Sequence, residues 1–235
     1  MTADDLSEHH ATAQRISVRL ERVRALITDT CRRVGRDPQG VRLIAVTKEQ
    51  TSAVIAPLRA AGLCDLGENR LEHLTLMTVA AMPEINFHYI GRIQGRQLAK
   101  IVPLCTTLHS LCDADHIERL GRACESQQRR MSVFLQVNTA NDDAKAGMQP
   151  HEIAERLSLA QQFSFLSVVG LMTMAPLGVN GAQADDDTVR RCFASLRICG
   201  EKHKLPRLSM GMSHDFPLAI AEGATDLRIG TRLFV

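Results

Sequence analysis

The sequence predicts an α/β protein folded as a single (β/α)8 TIM barrel over residues 1–235, with an extra helix, within residues 1–36, packed on its outside. Three observations carry this expectation. Eight short β-branched or apolar runs alternate with seven polar segments of helical length, as parallel βαβ units require. Runs such as VFLQV (133–137) and FLSVVGLM (165–172) are apolar at successive positions, as strands buried on both faces are. No Pro/Gly/Ser linker, low-complexity tract or repeat divides the chain.

The first element is a helix over about 7–35. Ile16, Leu20, Val23, Ile27, Cys31 and Val34 recur at three- and four-residue steps and mark one apolar face, and Gly35 with Pro38 stops it. Strands follow near 41–46, 63–66, 86–90, 105–109, 132–137, 165–171, 207–210 and 225–229. Helices lie between them, near 51–61, 70–81, 95–101, 114–127, 150–161, 187–204 and 215–222. Too few residues follow the eighth strand for an eighth full helix, so the N-terminal helix is expected to cover the place that helix leaves. LGVNGAQADDD (177–187) reads as a loop whose acidic run caps the next helix, where negative charge meets the positive end of the dipole.

Composition narrows the function. A formal charge of +2 argues against a dedicated nucleic-acid or membrane surface. No apolar run reaches bilayer length, and the polar, acidic start MTADDLSEHH has no secretory pattern, so a cytoplasmic location is expected. Seven cysteines, odd in number and without a C-x-x-C pair, read as free, mostly buried thiols in a reducing compartment.

In a barrel of this kind the active site lies at the C-terminal ends of the strands. Lys48 ends the first strand abruptly, and GEN (67–69), IGRIQ (90–94), HS (109–110), NTANDDAKAG (138–147), MT (172–173), SMGMSHD (209–215) and RIGT (228–231) follow the others. The last two suggest a phosphate cup: Gly211 and Gly230 let backbone N–H groups approach an anion, Ser213 and Thr231 add hydroxyls, and Asp215 with Pro217 opens a helix. Alone, such loops equally describe ordinary tight turns. Opposite a strand-end lysine, they describe a site for a phosphorylated carbonyl compound held as a Schiff base.

Seven segments carry a resemblance across nearly the whole chain: AVTK, GENR, HYIGRIQ, LQVNTANDDAKAG, GLMT, LSMGMSHD and AIAEGATDLRIGT. In order and spacing they resemble the pyridoxal 5′-phosphate homeostasis family, whose barrel is related to that of alanine racemase. The resemblance implies that Lys48 forms the Schiff base with pyridoxal 5′-phosphate and that Asn69 lies beside the cofactor ring. It implies that Ser213, Gly230 and Thr231 hold the phosphate, with Ser209 as a neighbour, and that Arg228 faces the pyridine nitrogen. A guanidinium can only donate, so it favours an unprotonated ring, a poorer electron sink.

The family resemblance implies a carrier or buffer of the cofactor without dedicated turnover, a monomer whose transient partners are pyridoxal-phosphate-dependent apoenzymes. The alternative is an amino-acid racemase of the alanine racemase type. That enzyme, by resemblance, uses a second base, a tyrosine from an additional β-domain; the only tyrosine here, Tyr89, lies within strand three. A cofactor-independent Schiff-base aldolase is a third reading.

Some features depart from the family pattern or carry plainer readings. QGRQ (94–97) places Arg96 and Gln97 where the family has Asn and Lys, His73 stands where a glutamate is usual, and the chain ends LFV. Arg92, Arg96 and Lys100 read as a solvated face, because interleaved aromatics are absent. His88 reads as a hydrogen-bonded core histidine, and Met172, Met174, Met210 and Met212 as packing near the strand ends. Lys145 either assists cofactor transfer or makes a structural salt bridge.

Overall fold

The computed structural model describes residues 3–140, 146–176 and 184–235, with side chains from residue 12 onward. Eight strands form a closed barrel in chain order: β1 (Arg42–Val46), β2 (Asp65–Glu68), β3 (Asn86–Tyr89), β4 (Thr107–Leu111), β5 (Met131–Gln136), β6 (Leu166–Met172), β7 (Arg207–Ser209) and β8 (Asp226–Ile229). Every neighbouring pair is parallel, and β8 closes on β1 with Ile44 opposite Arg228. The helices are α1 (Ala3–Arg33), α2 (Ile55–Ala60), α3 (Leu71–Val79), α4 (Leu98–Ile101), α5 (Ala114–Ser126), α6 (Ile153–Ala160), α7 (Asp186–His203), α8 (Phe216–Ala221) and α9 (Thr231–Phe234). The expected alternation is present, and α9, a single turn after β8, is an addition to it.

Two apolar and polar layers follow from the strand period of two. Leu43, Ala45, Leu227 and Ile229 join the large cluster beneath the helices, whereas Ile44 and Arg228 alternate with them toward the interior. That interior is unusual for a barrel, where branched apolar side chains normally fill the centre. Here His88, His109, Ser209 and Arg228 are all buried and touch one another in sequence. The sequence expectation of β4 at 105–109 is displaced: β4 runs Thr107–Leu111, so His109 and Ser110 sit inside the strand and not in the loop after it.

Helix α1 buries Ile16, Leu20, Val23, Ile27 and Cys31, while Val34 lies past the end of the helix and is exposed. The helix rests against α2, α8 and α9. Two arginines fasten it by donating to backbone carbonyls that end other helices. Arg24 reaches Ala61 O at 2.7 Å and Gly62 O at 2.9 Å, and Arg36, just beyond α1, reaches Ile220 O at 2.6 Å and Ala224 O at 2.8 Å. It thus covers the side of the barrel next to α8 and the short α9.

Asp185 caps α7, accepting from Thr188 N at 2.9 Å, with Asp186 and Asp187 in the first turn. The rest of the expected 177–187 loop, residues 177–183, lies outside the described residues. None of the seven cysteines is in a disulfide. Among the described residues no helix is long and apolar enough to cross a membrane.

Leu20 is fully buried where α1 meets the barrel helices. Leu20→Ala removes that packing and is expected to lower unfolding free energy by about 2–5 kcal/mol, read from the urea midpoint at unchanged slope. A loss under about 0.5 kcal/mol would mean that α1 contributes little to the core.

Candidate functional site

Strand β1 ends against a polar brace. Buried Thr47 donates its hydroxyl to Glu68, and the other Glu68 oxygen lies 2.7 Å from His73 Nδ1. His73 Nε2 lies 2.9 Å from Gln50 O, and Gln50 N closes the turn onto Thr47 O at 2.8 Å. Lys48 is therefore held between two anchored residues, with its side chain half exposed at the barrel mouth. Among the described residues its ammonium meets exposed Glu49, at 3.8 Å, and no buried carboxylate. His73, the residue that departs from the family pattern, completes this brace.

Asn69 follows β2 and is half-buried. A Cβ at Gly91 would come within 2.0 Å of Asn69 O, so the β2 and β3 loops touch only because residue 91 is glycine. Beside Asn69 a cleft is lined by Arg70, Tyr89, Arg92 and Arg96. Arg92, Arg96 and Lys100 are exposed, as a solvated face requires.

The loops after β7 and β8 are joined through Ser213. Its buried hydroxyl accepts from Gly230 N at 3.3 Å and Arg232 N at 3.5 Å, and Arg232 donates its guanidinium to Ser213 O. Thr231 is exposed at the start of α9. Gly230 also faces β1, where an added Cβ would meet Val46 O at 3.3 Å. Lys48, Asn69, Ser213, Gly230 and Thr231 thus belong to loops at one end of the barrel, after strands β1, β2, β7 and β8. Gly211 also has a structural reason to be glycine. Its φ of +92° and the 2.6 Å approach of a notional Cβ to Ala219 show that the turn and contact with α8 demand glycine there. Asp215 precedes α8 and accepts from Met212 N at 2.6 Å, and burial pushes its carboxyl up.

Arg228 lies at 4% exposure inside the barrel. Burial pulls its guanidinium down to about 10, opposed by Asp215 and Asp226. Nη1 donates to Ser209 Oγ at 2.6 Å and Nη2 to Thr173 O at 2.9 Å. Ser209 is fully buried, and its hydroxyl is taken up by Arg228 and by His109 Nδ1 at 2.8 Å, which places it as a support of Arg228. His109 Nε2 lies 2.9 Å from His88 Nδ1, and His88 Nε2 lies 2.9 Å from Asp65 Oδ1. His109 stacks on Phe134 at 4.5 Å, and burial, then His88 and Arg228, hold its imidazole well below the usual range. His88 is a hydrogen-bonded core histidine, as its setting in the strand suggested.

Met172 and Met210 are buried, whereas Met174 is exposed. Lys145 lies outside the described residues. Thr47, Glu68, Asp65, His109 and Thr173 are site residues that sequence reasoning left without a role. The available signal was a polar side chain standing between buried apolar ones within a strand, as in LHSL (108–111).

Residues 18–235 match the alanine racemase N-terminal domain family. The chain is 32% identical to the pyridoxal phosphate homeostasis protein of Aquifex aeolicus, over 92% of this chain and 96% of that one. It is 34% identical to the protein of the same description from Pseudomonas aeruginosa, over 93% and 94% of the two chains. The structure of PipY of Synechococcus elongatus PCC7942 with PLP bound superposes with a TM-score of 0.80 at 32% identity, covering 94% of this chain and 100% of that chain.

His109 gives the fold a defined acid sensitivity. The unfolded chain takes up its proton near pH 6.5, while burial keeps the folded imidazole neutral well below that. Its contribution is present above pH 6.5 and is lost as the pH falls below it toward the folded value. His109→Gln is expected to flatten the fall of unfolding free energy below that pH by up to about 1.4 kcal/mol per pH unit. Urea titrations of both proteins across that range check it, and parallel slopes would contradict it.

Proposed function

As this chain belongs to the alanine racemase N-terminal domain family and to its pyridoxal phosphate homeostasis branch, we propose that it binds pyridoxal 5′-phosphate as a Schiff base on Lys48. In this reading it carries and buffers the cofactor in the cytoplasm without dedicated turnover. It acts as a monomer and hands the cofactor transiently to apoenzymes that depend on it.

One juxtaposition supports this reading above all. A primary amine that meets no buried carboxylate among the described residues follows β1, beside a hydroxyl-and-amide cradle, and the neighbouring strand β8 carries a buried guanidinium. These residues fit the cofactor's three chemical features. Lys48 offers the nucleophile for an aldehyde. Ser213, Gly230 and Thr231 offer uncharged donors to a phosphate where the chain begins a new turn. Arg228 offers N–H groups and no acceptor, which suits an unprotonated ring nitrogen. Asn69 supplies an amide at the neighbouring loop.

The cofactor supplies a reversible aldehyde and, when its ring is protonated, an electron sink. Arg228 works against that protonation, because a fixed positive charge disfavours a second one nearby. Lys48, half exposed, remains open to exchange with another amine. The racemase reading needs a second proton-transfer group, and Tyr89, the single tyrosine, does not suit it. Tyr89 is 2% exposed within β3, and burial pushes its phenol up.

The protein incubated with pyridoxal 5′-phosphate is expected to show a bound-cofactor absorption band that Lys48→Ala abolishes. The same band in the variant would refute the lysine assignment. L- and D-alanine are expected to remain unconverted by the loaded protein. Steady interconversion lost in Lys48→Ala would overturn the non-catalytic reading.

A further inference from the structure

We propose that the polar core of this barrel is a one-way hydrogen-bond relay, Arg228 to Ser209 to His109 to His88 to Asp65, that holds Arg228 in register for the cofactor, with His109 as its central positioning residue. Its effect on the cofactor rests on the function proposed above; its direction does not.

The direction follows from donor and acceptor inventory. Arg228 has only N–H groups to give, so at 2.6 Å the Ser209 oxygen must accept from it. Ser209 is fully buried, and among the described residues the other contact of its hydroxyl is His109 Nδ1 at 2.8 Å. The hydroxyl proton is satisfied only if Nδ1 accepts, which puts the single ring proton of neutral His109 on Nε2. Nε2 then donates to His88 Nδ1 at 2.9 Å. His88 in turn carries its proton on Nε2 and donates to the Asp65 carboxylate at 2.9 Å. Every link donates in the same sense, from the cation to the anion.

The relay crosses the barrel. Asp65 is the first residue of β2 and lines a cleft of about 410 Å³ with Arg24, Arg42 and Gly62 at the opposite end from Lys48. Arg42 approaches the same carboxylate at 3.8 Å, which favours its charged form. No carboxylate makes an ion pair with Arg228 among the described residues, so the relay and Thr173 O supply the negative ends of dipoles in place of one. Linked hydrogen bonds polarise one another, and a chain with one sense adds these effects at its cationic end. His109, the middle link, is fully buried and stacked on Phe134 at 4.5 Å.

Two measurements test it. In the cofactor-free protein, 15N NMR of the histidine rings is expected to show His88 and His109 neutral, each with its proton on Nε2. A proton on His109 Nδ1, or a doubly protonated His109, would overturn the relay. In the loaded protein, His109→Leu fills the space but breaks both links. It is expected to shift the bound-cofactor absorption band and weaken affinity at least tenfold. His109→Gln, which keeps an acceptor and a donor, is expected to restore the band and bring affinity within threefold of the parent. Ser209→Ala, a smaller change, reproduces the shifted band if His109→Leu fails to fold. A parental band and affinity in the folded His109→Leu or Ser209→Ala protein would overturn the positioning role. If the parent itself shows no band, the cofactor reading fails, while the ring-proton assignment still decides the relay.

Discussion

A guanidinium buried in a barrel interior is costly unless its charge meets acceptors, and the centre of this protein is organised around that constraint at Arg228. The strand period puts Arg228 inside, between Leu227 and Ile229, which belong to the layer under the helices. Its neighbours across the sheet then have to be polar. Ser209 on β7, His109 on β4 and His88 on β3 meet that need in turn, and the chain of contacts ends at Asp65, beside the cleft at the far rim. A barrel centre that could have been filled with valine and leucine is filled with groups that fix one another. Ile44 and Phe134 share that centre, and the large apolar cluster lies between strands and helices.

The lysine at the mouth poses the opposite problem. Lys48 must be accessible yet fixed in place, and the structure separates these demands. Thr47 and Gln50 are tied down by Glu68 and His73, so the backbone at Lys48 is held while its side chain remains half exposed. An amine so placed can form and release a Schiff base without opening the core. That placement is the one the proposed carrier role asks for.

Most of the architecture is legible in the sequence because two periodicities, near 3.6 and 2, alternate down the chain without interruption. Lys48 and Ser213 are legible as candidate site residues because strand ends can be located and chemistry concentrates there, whereas the role expected of Arg228, which lies within β8, came from the family resemblance. The relay is not, since it depends on registers among β2, β3, β4, β7 and β8 that chain order does not give. His109 illustrates the difficulty: a two-residue shift of β4 moves it from a presumed loop into the barrel centre. Cys105, buried ahead of β4, extends the apolar run backward and hides the true start. The positive φ of Gly211 and its contact with Ala219 are likewise visible only in the fold. His73 read as a departure from pattern, and only the fold shows it bridging Glu68 to the turn of Lys48.

The most direct test of the account is the site of covalent attachment. Reduction of the cofactor-loaded protein with borohydride, followed by mass spectrometry of its peptides, is predicted to place a single phosphopyridoxyl adduct on Lys48. Attachment chiefly at another lysine, such as Lys100 or Lys145, or no adduct at all, would contradict it.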